Sequence, residues 1–489
     1  MQFKSNQHTS LAMYIPMKKL SHTLVLLTSL FLLASCGEDR SGEYYALVED
    51  NLFIEQVMKE HYLWYDSIPE VKQMDYFAEP EEFLKKLVYR KAQNGKGDPY
   101  SYVESTATPP TPDTESFSRS FLQRTSTYGF DFELMNDPTG VSSHVFARVL
   151  YVLPQSPASE AGLQRGDWIS AVGRDELTAQ NYGYLMTGGA TSFARESLVF
   201  DSENNASWVA FDTLQVGPAR PVEINPFQVD TVYHIAGRKI AYLMYNEFST
   251  GPNNQAKDTE YREQMRQRFA RFRQEAPDAF ILDLRYNPGG YLSCATDLAS
   301  YLAPAAALGK VFCTTKYNNL TEPQEVDFPL NAALAGENLN LSKLYVLTSS
   351  FTASASEAVI NGLRPYFGND NLVVIGETTE GKNVAMQPYQ DERFPFIVWP
   401  VVAYVLNAEG SAHYARGIEP TFELSERRLI SPLYPLGDTR EFLLRNTLGY
   451  ITTGVMPDLP PAEHPDTEVQ GRTLFHSMSL RSLPGIRLQ

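Results

Sequence analysis

Three short stretches of the chain hold residue types suited to chemistry at a carbonyl group. Asp283-Leu284-Arg285-Tyr286-Asn287-Pro288-Gly289-Gly290 ends in two glycines, and Thr352-Ala353-Ser354-Ala355-Ser356-Glu357 offers two serine hydroxyls. Gly376-Glu377-Thr378-Thr379-Glu380-Gly381-Lys382 ends in a lysine. A serine hydroxyl is a poor nucleophile until a base removes its proton. A lysine, charged below its ordinary pKa of about 10.4, serves as that base only where burial lowers this value by several units. Val374-Ile375 before Lys382 and Val384-Ala385-Met386 after it supply apolar neighbours. Backbone N–H groups at a helix start favour a developing oxyanion, and losing one such donor typically costs about 3 kcal/mol. Each stretch taken singly also has a plainer reading: a tight glycine turn, a pair of helix caps, an exposed lysine. Rival chemistries have less to stand on. His144, His234 and His413 are scattered and no HExxH occurs, which disfavours a zinc site, while Cys294 and Cys313 have no neighbours that would activate a thiolate. A Ser/His/Asp triad needs only proximity in space and stays open at this point.

The elements around these stretches alternate. Lys239–Tyr245 reads as a strand, Thr259–Glu275 as a charged amphipathic helix, and Ala279–Leu284 as a buried strand leading through the glycines into a helix over Tyr291–Leu302. Leu344–Thr348 leads into a helix over Ala355–Leu363, and Leu372–Gly376 leads to Lys382. Repeated strand–helix alternation predicts an α/β core over residues 225–455. Ahead of it, residues 36–120 combine apolar residues at helical spacing with a Ser/Thr/Pro-rich linker at Thr106–Thr114, giving a small helical domain. His61-Tyr62-Leu63-Trp64-Tyr65 is expected to pack where that helix leaves the core. Residues 121–220 hold short β-branched runs separated by turn residues and read as a β-rich domain, and the Pro-rich residues 456–489 as an extended tail or strap. Several units suit 489 residues, and the arithmetic 41 − 58 = −17 leaves no basic footprint for nucleic acid.

Two of these regions resemble known families. Ser156-Pro157-Ala158-Ser159-Glu160-Ala161-Gly162-Leu163-Gln164-Arg165-Gly166-Asp167-Trp168-Ile169 resembles the PDZ domains of processing proteases. In that resemblance Tyr128-Gly129-Phe130 is the loop whose N–H groups capture a peptide's terminal carboxylate, with Thr127 where the family often has glycine. Such a domain binds a peptide as an added strand. The three core stretches, in order and followed by Gly417-Ile418-Glu419-Pro420, resemble the carboxyl-terminal processing (tail-specific) proteases of family S41. With the PDZ stretch the likeness covers roughly residues 125–425. It implies a ClpP/crotonase-like α/β serine protease core without a cofactor or metal. Ser354 is implied as nucleophile, Lys382 as base, and the N–H groups of Ala355 and of Gly289 or Gly290 as the oxyanion hole. Two positions depart from the pattern. Pro365 stands where many members carry an aspartate, and Gln387 lies five residues after Lys382, where the supporting glutamine usually lies four after. A one-residue offset turns a strand side chain to the opposite face unless a bulge restores it, so Gln387 is expected to complete the site only in that case.

The opening residues read as an address. Lys18-Lys19, the apolar run Leu20–Ala34 and Leu33-Ala34-Ser35-Cys36 look like a bacterial lipoprotein signal over residues 1–35, with Cys36 acylated. The implied protein is lipid-anchored in the cell envelope, at the outer membrane, and acts on protein or peptide substrates there. The alternative from a different class is a catalytically inactive binding or scaffolding lipoprotein on the same fold.

Overall fold

The computed structural model describes residues 41–70, 72, 74–90, 97–106, 126–140, 142–203, 206–252, 257–428, 433–457, 471–478 and 486–488. The leader, Cys36, the boundary near residue 120 and much of the C-terminal tail lie outside the described residues.

A six-stranded sheet carries the reactive stretches. Its order is Phe422–Glu423, Leu372–Gly376, Leu344–Thr348, Ala279–Asp283, Arg238–Tyr245 and Phe227–Ile235, with every neighbour parallel except the last pair. Runs such as Ala279-Phe280-Ile281-Leu282 are apolar at every position because both faces of a parallel sheet are covered. Alternate residues serve alternate faces. Leu243, Phe280, Leu282, Val346 and Val374 pack against the helices Glu260–Glu275, Leu292–Leu302 and Ala355–Phe367. Tyr242, Ile281, Leu347, Val373 and Ile375 pack against the helix Phe442–Thr453. Parallel strands need their connections at opposite ends, so the segments after Asp283, Thr348 and Gly376 emerge at one edge of the sheet. Those segments carry Gly289, Ser354 and Lys382.

The helix Ala355–Phe367 runs past its expected end at Leu363 and contains Pro365. Proline there removes the N–H that would bond the carbonyl of Asn361. Asn407 supplies a substitute, its Nδ2 donating to that carbonyl at 3.3 Å.

The β-rich region forms its own sheet, in the order Phe130–Asn136, Val145–Val152, Trp168–Val172, Thr191–Phe200 and Ala206–Val216. It is docked on the core: Leu150, Tyr151 and Leu153 belong to the same buried cluster as Tyr286 and Leu347, and the rings of Tyr151 and Tyr286 stack at 5.5 Å. The N-terminal region is not helical throughout. The helices Ser41–His61 and Pro80–Leu87 bury Ile54, Met58, Phe83 and Leu87 against Val384, Met386, Val398 and Val401, while Tyr102–Ser105 adds antiparallel to Phe396–Trp399. The aromatic run packs as expected, with Trp64 stacked on Tyr89 and His61 on Tyr389. In the C-terminal segment, Thr473–His476 pairs with Phe130–Asn136 and Ile486–Arg487 pairs with Val384–Met386, so it straps two different sheets.

Candidate active site

Ser354 is the N-cap of the helix Ala355–Phe367, at the turn that follows the strand Leu344–Thr348. Its backbone is in the left-handed half of conformational space, φ 64° and ψ −117°. A non-glycine residue held there costs of order 1–3 kcal/mol and persists only when its surroundings fix it. They do so on several sides. Ala353 N–H and Ser356 Oγ both donate to the carbonyl of Asn287, at 3.1 and 3.0 Å, and Thr352 Oγ1 donates to the carbonyl of Leu284 at 2.8 Å. Ser354 Oγ itself is fully buried and makes no hydrogen bond. The hydroxyl stands in a capping-box arrangement facing the backbone of Glu357, without the geometry of a full hydrogen bond.

Glu357, three residues on, completes this box and is wholly buried. Its Oε2 accepts from the N–H of Ser354 and from the N–H of Lys382, both at 2.8 Å, and its Oε1 accepts from Gly381 N–H at 2.7 Å and from the Thr379 hydroxyl. One carboxylate therefore ties the turn bearing Ser354 to the loop bearing Lys382. Burial pushes this carboxyl up while the Thr379 hydroxyl and the three N–H donors pull it down, and the balance stands at about 7. Thr379 also braces the loop from the far side, since Ile418 N–H donates to its hydroxyl at 2.7 Å. Gly381 has φ +91°, and a Cβ there would lie 2.5 Å from the carbonyl oxygen of Ala415, so only glycine fits.

Lys382 is 5% exposed, and its Nζ lies 4.5 Å from the ring centroid of Tyr100. Tyr100 comes from the N-terminal region and is set by Asp98, whose Oδ1 accepts the N–H groups of Tyr100 and Ser101 and whose Oδ2 accepts the hydroxyls of Ser101 and Tyr62. Ser101 Oγ then accepts Val401 N–H at 2.9 Å, which locks this turn to the core. No hydrogen bond joins Lys382 to Ser354.

Of the two glycines, Gly289 lies against the serine: a Cβ at Gly289 would come within 2.7 Å of Ser354 Oγ. Its N–H donates to Asn287 Oδ1 at 2.9 Å, and its missing side chain leaves room for the hydroxyl. Asn287 anchors the loop further through Nδ2 to the carbonyl of Tyr245 at 2.7 Å. The N–H groups of Gly290 and Ala355 make no such bond.

Gln387 lies one residue beyond the usual spacing. It follows the strand Val384–Met386, is half-buried, and makes no hydrogen bond to Lys382 or Ser354. The irregularity in this pairing sets Met386 opposite Val401 directly after Ala385 opposite Ala403, so the extra residue, Val402, belongs to the partner strand and leaves the alternation of Gln387's own strand unchanged. In the loop Tyr128-Gly129-Phe130 two N–H groups have partners within the chain. Tyr128 N–H donates to the carbonyl of Met186 and Gly129 N–H to Thr127 Oγ1, at 3.2 and 3.1 Å. The threonine in place of glycine thus fills from within part of the fork expected to hold a carboxylate.

Beside the site, Arg165 of the β-rich region enters a buried charge cluster with the loop after Asp283. Arg165 donates to Glu426, Tyr286 Oη and the carbonyl of Leu150, and Arg285 donates to Asp283, Glu426 and Glu441. Burial raises the Glu426 carboxyl, but Arg165 and Arg285 outweigh it and hold Glu426 below the ordinary range.

Sequence reasoning quoted Glu357 without assigning it work and missed Tyr100, Asp98 and Asn287. The signals were present in part: glutamate three residues after a serine is a capping-box pattern, and Asp98-Pro99-Tyr100-Ser101 is a side-chain-stabilised turn.

Residues 239–424 match Peptidase family S41, and residues 49–102 match the Peptidase S41 N-terminal domain. Carboxyl-terminal-processing proteases from Picosynechococcus and Synechocystis are each 26% identical, over 242 and 287 residues, or 50% and 58% of this chain. The matches span 52% and 60% of those relatives' own lengths. A crystal structure from Bacteroides fragilis, provisionally described as an S41 protease, is 33% identical with a TM-score of 0.71, covering 83% of this chain and 98% of that one.

Proposed function

Since the chain belongs to peptidase family S41, we propose that it is a serine endopeptidase in which Ser354 attacks the peptide carbonyl and Lys382 accepts the serine proton. The observation that carries this reading is the Glu357 carboxylate, which holds the backbone of Ser354 and of Lys382 at the same 2.8 Å. As Ser354 Oγ bonds to the carbonyl carbon, its proton passes to Lys382 Nζ, and the carbonyl oxygen takes the negative charge beside Ala355 and Gly290 N–H. Collapse breaks the C–N bond, Lys382 returns the proton to the leaving amine, and water, activated by Lys382, releases the acyl group from Ser354. Lys382 must come into hydrogen-bonding reach of Ser354 when substrate enters, a tightening common between resting and substrate-bound sites.

The β-rich region, read as a PDZ domain, would capture an unstructured stretch of substrate and deliver it to the core. A lipid on Cys36 would hold the enzyme at the outer membrane, with envelope proteins as substrates. The second reading, an inactive binding protein on this fold, draws on the missing hydrogen bond between Ser354 and Lys382 and on Pro365. Cleavage of an unfolded protein by the chain from residue 37 decides between them. Activity that disappears in both Ser354→Ala and Lys382→Met supports the dyad, and activity surviving in both overturns it.

A further inference from the structure

The strand Phe130–Asn136 is the edge at which an added peptide would pair, and the chain's own Thr473–His476 occupies it. The pairing is antiparallel, with His476 opposite Glu133, Phe475 opposite Leu134 and Thr473 opposite Met135. Both ends are bonded. Asn136 N–H donates to the carbonyl of Arg472 at 3.1 Å, and Ser477 N–H donates to the carbonyl of Phe132 at 3.0 Å. Ser477 Oγ accepts Phe132 N–H and donates to Asp131 Oδ1, each at 2.8 Å. Gly471 approaches so closely that a Cβ would lie 2.2 Å from the carbonyl of Asn136.

The side chains are held as well. Phe475 lies opposite Leu134 and, across a bulge at Leu474, Thr473 lies opposite Met135, so Phe475 and Ser477 share one face and Thr473 takes the other. The Phe475 ring lies 4.2 Å from that of Tyr182, in the short helix Tyr182–Leu185, and 6.1 Å from that of Phe132, so it sits between strand and helix. On the other face the His476 ring meets Phe351 edge-on at 4.9 Å, three residues before Ser354. Increasing residue number runs toward Tyr128-Gly129, but the segment does not end there. It passes through a buried Met478, and the N–H groups of Tyr128 and Gly129 are already engaged with Met186 and Thr127.

We infer that this edge is a binding site for an internal extended peptide segment, with an aromatic side chain at one position and a small hydroxyl residue two places on. Residues 471–478 are its built-in occupant, which a substrate segment of the same pattern must displace. Main-chain bonds supply affinity, and the Phe132–Tyr182 pocket together with Asp131 supplies selectivity. The inference rests on the reading of residues 121–220 as a peptide-capturing domain and adds to it the class of ligand and the competitor.

The test uses the chain from residue 37, a fluorescent peptide with the sequence of residues 471–478 in amidated and free-acid forms, and two variants. Phe475→Ser empties the aromatic pocket, and Ser477→Pro removes the N–H that bonds Phe132. Wild type should bind the peptide weakly and both variants at least tenfold more tightly, with amidated and free-acid peptides equal. Equal affinity in wild type and variants would overturn self-occupancy while leaving peptide capture standing. Binding of only the free-acid form would overturn the internal-segment reading in favour of terminal capture. No binding by any folded chain would overturn this inference and the capture role together, leaving Ser354-dependent cleavage as a separate result.

Discussion

Glu357 and Glu426 are both buried carboxylates, yet the protein compensates them in opposite ways. Glu357 accepts four hydrogen bonds from neutral donors, one hydroxyl and three backbone N–H groups. Glu426 faces the guanidinium groups of Arg165 and Arg285. Neutral dipoles offset burial only in part, so Glu357 keeps its proton to about pH 7, whereas full cationic charge holds Glu426 ionised below the ordinary range. The difference follows the work of each region. Where the β-rich region meets the core, paired charge fixes one body against another. Beside Ser354 and Lys382, a single carboxylate gathers backbone groups from two loops and ties them together.

The strongest way to break this comparison is to remove a cation. Arg285→Met leaves Asp283 buried without its guanidinium and Glu441 with only Arg165 at 3.6 Å, which should cost about 3–5 kcal/mol in urea denaturation. A loss below about 1 kcal/mol would mean that the cluster contributes little to cohesion.

The pH dependence of stability sharpens the contrast because the two carboxylates have opposite signs. The unfolded Glu357 carboxyl titrates near 4.5 and the folded one at about 7, so the folded chain holds the extra proton between these values. Its contribution is full below pH 4.5 and is lost as pH rises through 7, a span of at most roughly 3 kcal/mol. The Glu426 contribution is present above the ordinary carboxylate range and is lost as pH falls. Melting temperature against pH should therefore lose its neutral-side decline in Glu357→Gln while keeping its acid limb. A parallel downward shift across all pH would contradict the assignment. At a temperature where the variant remains folded, its kcat should fall about 10²-fold with KM little changed, because the amide cannot accept all four donors and the two loops lose their common anchor.

Tyr100→Leu is the smallest perturbation. The ring favours the ammonium form of Lys382 by about 0.5–2 kcal/mol. Its removal should move the acid limb of the pH–rate profile to lower pH, by up to about 1.5 units. An unmoved limb with reduced stability would make Tyr100 a packing residue only.

How much of this was legible in the sequence follows from the range of each interaction. The strands of the core and the turns carrying Gly289, Ser354 and Lys382 are written locally, as apolar runs that end in glycine or hydroxyl residues, and their order placed them at one sheet edge. Glu357 was visible as a capping residue but not as the link to Lys382, because its other donors, Thr379, Gly381 and Lys382, lie more than twenty residues on. Tyr100 meets Lys382 across 282 positions, a separation that no periodicity encodes. The part played by Gln387 is not written locally, because its strand is offset by one residue and the bulge in the pairing lies in the partner strand. Thr127 was seen to be unusual, but that its hydroxyl fills the loop became apparent only with the loop folded. The pairing of Thr473–His476 was hidden because a four-residue strand in a Pro-rich, polar tail has too little pattern to announce its partner.

The central claim is that Ser354 is activated by Lys382 across the frame that Glu357 sets. Its most direct test is the rate at which a fluorophosphonate, which needs no substrate recognition, modifies the chain, followed by mass spectrometry of the peptide containing residue 354. The account predicts a single adduct on Ser354, absent in Ser354→Ala and at least about 10²-fold slower in Lys382→Met. Labelling of Ser354 at the same rate in Lys382→Met, or no adduct on Ser354 in the wild-type chain, would contradict it.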